Sequence, residues 1–108
     1  MLIFISPHGK WMMENCIELA CDGTFSSSPA PFAQVFFRMA RLRDKPTTVP
    51  VGFALLPDKL MSTYTLMMTT VKKVVDFEPG VMERVTVDFE RGLWNAMETT
   101  LPWAKVGS

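Results

Sequence analysis

The order in which hydrophobic periodicity changes along this chain limits its fold more than any single motif. Three apolar segments bounded by chain breakers come first, over residues 16–22, 33–43 and 49–56. Each is short enough to be a strand. A segment of helical period follows over 59–76, where Leu60, Tyr64, Met67, Val71 and Val74 recur at spacings of three and four. Arg84 to Phe89 reads as a fourth strand. Residues 90–101 read as a second helix, with Leu93, Met97 and Leu101 on one stripe and Pro102 as the stop. Trp103 to Val106 reads as the start of a fifth strand. Consecutive strands followed by strand–helix alternation predict an α+β chain with one mixed sheet. The three leading strands are expected to be antiparallel, since Asp44-Lys45-Pro46 is a hairpin turn signal. The strand–helix–strand crossover is expected to be parallel and right-handed. Ahead of this block, residues 2–5 read as a short buried strand. Ser6-Pro7 reads as a helix start, with Ser at the N-cap, Pro in the first turn and the helix running to about Glu14.

Length and composition narrow the classes further. The 108 residues fit a single small domain. A hydrophobic content of 48% is enough for a core and argues against disorder. Eleven basic residues balance eleven acidic ones, so the chain lacks the cationic excess of an obvious nucleic-acid binder. Leu2-Ile3-Phe4-Ile5 is too short for the apolar core of a signal peptide, about 7–15 residues. No apolar run approaches the ~20 residues of a membrane span. A soluble intracellular chain without a membrane partner is expected. Cys16 and Cys21 lie five apart, which is not a metal-binding spacing, and are expected to be reduced core thiols.

Two acids carry the chemical interest. Asp22 falls at the expected end of the first core strand, with Gly23 allowing a sharp turn. Asp88 falls at the end of the fourth strand, just before a helix. If those strands are parallel neighbours, both carboxylates emerge at one edge of the sheet. Hard oxygen ligands so placed suit Mg²⁺ or Mn²⁺. Asp at a strand end is equally a common turn residue or helix cap. Glu90 adds a third carboxylate, either a helix-start acid favoured by the helix dipole or a neighbour of the ions.

These residues sit in a longer pattern. Asp22-Gly23-Thr24-Phe25 is followed by Pro31-Phe32 and Gln34. Val49-Pro50-Val51-Gly52-Phe53-Ala54-Leu55-Leu56-Pro57 precedes Thr63-Tyr64. Asp88-Phe89-Glu90 precedes Asn95-Ala96 and Leu101-Pro102. In order and spacing, these blocks resemble the Mutator-like element (MULE) transposase domain over nearly the whole chain, including the lead-in strand from Leu2 to Pro7. The resemblance implies a ribonuclease-H-like fold and a D…D…E metal site for Mg²⁺- or Mn²⁺-dependent DNA strand cleavage and transfer. Asp22 and Asp88 match the first two acids. It also implies DNA as the partner and a nuclear location. The family continues with a Cys/His-containing strand and a distal Glu. Residues 1–108 are therefore expected to be one partial, truncated domain with weak or absent metal binding and little or no transposition activity alone. The alternative expectation is a catalytically inactive, domesticated module that binds DNA or protein. The uncovered edge of an incomplete sheet is expected to invite self-association.

Other residues receive plainer readings. His8, the single histidine, is expected at the surface. Arg38, Arg41, Arg43 and Lys45 form the densest basic stretch, read as a solvated hairpin tip or as phosphate contacts. Met61, Met67 and Met68 are expected in the core, and Tyr64 and Trp94 as packing anchors.

Overall fold

The computed structural model describes residues 1–26, 32–41, 48–88 and 90–108. Its elements run β1 (Leu2–Ile5), α1 (Pro7–Asn15), β2 (Glu18–Ser26), β3 (Phe32–Arg41), β4 (Val49–Leu56), α2 (Met61–Val74), β5 (Arg84–Val87), α3 (Arg91–Thr100) and β6 (Lys105–Gly107). Pro31, Arg43, the turn at Asp44-Lys45-Pro46 and Phe89 lie outside the described residues.

The six strands form one mixed sheet in the order β1-β4-β3-β2-β5-β6. Pairing is antiparallel from β1 through β4 and β3 to β2. It is parallel from β2 to β5 and from β5 to β6. The described residues thus form an α+β arrangement, with a mixed sheet and three helices, and the antiparallel and parallel pairings fall as the periodicity predicts. β2 lies inside the sheet and joins the antiparallel half to the parallel half.

Strand alternation sorts the side chains between two faces. Leu19 and Cys21 on β2, Val35, Phe37 and Met39 on β3, Ala54 and Leu56 on β4, and Val85 and Val87 on β5 are all buried. They share one hydrophobic cluster with Met12 and Met13 of α1, Tyr64, Met67, Met68 and Val71 of α2, and Leu93, Ala96 and Met97 of α3. Each such aliphatic or aromatic side chain contributes about 1.5–3 kcal/mol by leaving water. The opposite face is open: Leu2, Phe4 and Phe36 are 57%, 55% and 39% exposed. Phe4 stacks on Phe53 across the β1–β4 pair, with ring centroids 5.6 Å apart.

Helix ends follow local chemistry. Ser6 caps α1, its hydroxyl accepting from the Gly9 amide at 2.9 Å, and Pro7 begins the first turn. Asp58 precedes α2 and accepts from the Leu60 amide and the Thr63 hydroxyl. Lys72 donates to the Thr100 carbonyl at 2.6 Å, satisfying an end of α3 from a neighbouring helix, and lies 5.7 Å from the Trp103 ring centre.

Four expectations need correction. Residues 2–5 do not form a buried strand. β1 lies at the sheet edge, where Ile3 and Ile5 pack on the core and Leu2 and Phe4 face outward. Asp22 does not end its strand, and Gly23 makes no sharp turn. Pairing with β3 carries β2 on to Ser26. Met61 is not in the core, and the helical stripe from Leu60 to Val74 is exposed at both ends. Leu60 is its extended N-cap, and Met61 and Val74 are its terminal residues, at the surface. The last strand begins at Lys105, because Leu101 to Ala104 form a turn in which the Ala104 amide donates to the Leu101 carbonyl.

Candidate functional site

The site is built where β2 and β5 run side by side. The last in-register pair is Cys21↔Val87, so Asp22 and Asp88 stand at the next step of two neighbouring parallel strands. Their side chains meet different surroundings. Asp22 is 56% exposed, and its Oδ2 lies 3.8 Å from Nε of Arg38 on β3. Arg38 is itself half exposed, so water weakens the pair.

Asp88 is held by main-chain donors. Its Oδ2 accepts from the Gly23 amide at 3.0 Å. Its Oδ1 accepts from the Glu90 amide at 3.3 Å, so the carboxylate also shapes the entry to α3. Glu90 occupies the N-cap position of α3 but makes no side-chain capping bond. Instead its Oε1 accepts from the Tyr64 hydroxyl at 2.8 Å and lies 3.9 Å from Lys59 Nζ. The side chain is 18% exposed.

Gly23 explains how two carboxylates share this corner. A Cβ at Gly23 would stand 3.3 Å from Glu90 Oε2 and 3.6 Å from Asp88 Oδ2. The missing side chain leaves a notch into which both acids reach. Consecutive strand residues project to opposite faces, so this notch lies across the strand from the Asp22 side chain. The structure therefore gathers Asp88, Glu90, Tyr64 and Lys59 around Gly23, and pairs Asp22 with Arg38. Among the described residues, no set of three or more His, Cys, Asp or Glu side chains is grouped as metal ligands.

The remaining candidates are placed more simply. Cys16 and Cys21 are buried free thiols. Burial pushes the Cys16 thiol up to about 11. Burial, and then the charge of Asp22, pushes Cys21 higher still. Neither is a thiolate nucleophile at neutral pH. His8 is exposed on α1 and stacks on Trp11, with ring centroids 6.5 Å apart. Arg38 and Arg41 are exposed, and Trp94 packs partly buried against the core.

Tyr64 does more than anchor packing. Its ring is fully buried, and its hydroxyl ends on Glu90. Burial first, then the hydrogen bond to Glu90, then the charges of Glu90, Asp88 and Asp58 drive its ionisation far above the ordinary phenol range. It is a permanent donor at neutral pH. A buried tyrosine hydroxyl needs a partner, and that is the sequence signal available. The partner lies 26 residues away, beyond any local pattern.

No protein-family model, curated protein or solved structure matches this chain.

Proposed function

We propose that this chain is part of, or derives from, a DNA transposase of the Mutator-like type, whose chemistry is metal-dependent DNA strand cleavage and transfer. The observation that carries this reading is the sheet order. Four strands in antiparallel pairing, β1-β4-β3-β2, followed by β5 and β6 in parallel pairing, set Asp22 and Asp88 one step beyond the last β2–β5 pair. That is the arrangement a ribonuclease-H-like core requires of its first two acids. No helix among the described residues is long and apolar enough to cross a membrane.

The residues suit a hard divalent cation. Asp88 and Glu90 offer carboxylate oxygens beside Gly23, next to the Tyr64 hydroxyl and the Lys59 ammonium, and Gly23 leaves space beside both acids. Asp22 and Asp88 would hold Mg²⁺ or Mn²⁺, with Glu90 as the neighbouring acid. Bound there, the ions supply activation of water and stabilisation of the leaving oxygen in phosphodiester chemistry. The Gly23 and Glu90 amides orient Asp88. Asp22, half exposed, would have to leave Arg38 and turn toward Asp88 to share an ion with it.

One observation favours a second reading, a non-catalytic module that binds protein. Leu2, Phe4 and Phe36 make an open apolar surface on a chain of zero net charge.

Thermal unfolding in graded Mn²⁺ separates the two. The wild-type chain is expected to gain about 2.7 kcal/mol once the ion reaches ~100 times its dissociation constant. A chain carrying both Asp22→Asn and Asp88→Asn is expected to gain nothing. Equal gains, or none in either chain, would remove the metal site and leave the binding module.

A further inference from the structure

We propose that Tyr64 is a positioning residue of this site, holding the Glu90 carboxylate so that Oε2 is presented beside Asp88. The inference rests on the metal-site reading for its purpose, but the hydrogen bond behind it is independent of any ion.

The geometry around Tyr64 and its acceptor Glu90 carries the inference. Its side chain is fully buried, so the ring has no freedom to wander. Its hydroxyl donates to Glu90 Oε1 at 2.8 Å, using one carboxylate oxygen and leaving the other. That other oxygen, Oε2, is the one that reaches into the Gly23 notch, where Asp88 Oδ2 also lies. Glu90 caps no amide of its own helix, so its side-chain direction is not explained by helix capping. Lys59, 3.9 Å from the same Oε1, offsets part of the repulsion between Glu90 and Asp88. Outer-shell donors of this kind fix the orientation of acidic groups around a metal.

Tyr64→Phe removes the hydroxyl and keeps the ring, so packing survives. The first measurement is Mn²⁺ affinity by titration calorimetry. The variant is expected to bind roughly tenfold or more weakly than wild type. A merely structural hydroxyl would lower the melting temperature equally with and without Mn²⁺ and leave affinity alone, which would overturn the proposal. The second measurement needs no metal. Tyr64 is the sole tyrosine of the chain, so the tyrosine Raman doublet reads its hydrogen bond directly. The strong-donor signature of wild type is expected to be lost in Glu90→Ala. An unchanged doublet refutes the Tyr64–Glu90 link. A wild-type chain that ignores Mn²⁺ sinks the metal-site reading, and the Raman comparison then decides the role of Tyr64 by itself.

Discussion

The amide of Gly23 donates to Asp88 Oδ2 at 3.0 Å, tying together residues 65 positions apart. A Cβ at Gly23 would leave Asp88 Oδ2 in ordinary contact at 3.6 Å but would crowd Glu90 Oε2 at 3.3 Å. Glu90 is pinned from behind by Tyr64 and has little room to retreat. Gly23→Ala is expected to cost about 1 kcal/mol, at the low end of overpacking penalties. It should also weaken Mn²⁺ binding. Urea unfolding and calorimetry check the two effects; wild-type values in both would show that the notch is slack.

Gly9→Ala is expected to be far more damaging. The added Cβ would meet the Val51 carbonyl oxygen, a backbone atom of β4, well inside contact distance. Neither helix nor strand can yield cheaply. A loss of about 3 kcal/mol is expected, near the upper end for overpacked sites. A midpoint in urea within error of wild type would mean that α1 shifts freely on the sheet.

Alkaline pH should destabilise the chain. Cys16, Cys21 and Tyr64 all keep their protons in the folded state at pH values where the unfolded chain releases them. The contribution of Cys16 is complete below the ordinary thiol value of 9.0 and is lost as pH climbs through about 11, and those of Cys21 and Tyr64 are lost only at higher pH still. The unfolding free energy should fall by up to ~1.4 kcal/mol per pH unit for each group. Urea titrations under reducing conditions across this range should show the slope, and Cys16→Ala should make it shallower. A flat profile contradicts the burial of these groups.

The open face should drive association at high concentration. β1 is an edge strand of sequence Leu-Ile-Phe-Ile, without the Lys or Pro that usually protects such an edge. Phe4→Lys places a charge on both the edge and the open face. Sedimentation velocity should show the wild type gaining mass with concentration and the variant remaining smaller. Identical behaviour would locate any association elsewhere.

Much of the framework was legible because it is set locally. β4 coincides with the breaker-bounded segment 49–56, and Ser6 caps α1 as its position before Pro7 suggests. Leu93, Met97 and Leu101 are buried as one stripe. Errors arose where pairing overrides local signals. Gly23 looks like a turn, but β3 holds it in a ladder. Leu2 and Phe4 look like core residues, but their strand has a neighbour on one side only. At the site, the parallel adjacency of Asp22 and Asp88 follows from element order. The grouping of Tyr64 and Lys59 on Glu90 does not, because it depends on how α2 and α3 pack.

The join between β2 and β5 also sets a temporal order. The antiparallel strands β3 and β4 meet through a short connection. The parallel half must first close a loop of some sixty residues, which costs more chain entropy. The hairpin half is therefore expected to form early and the β5–α3–β6 unit to dock late. Asp88 and Glu90 belong to the late unit, and Gly23 to the early one. In pulse-labelled hydrogen exchange, amides of β5 should gain protection after those of β3 and β4. The reverse order would mean that the parallel pairing nucleates the sheet. With the expected order, the acidic corner exists only in the finished molecule, and a partly folded chain carries no version of it.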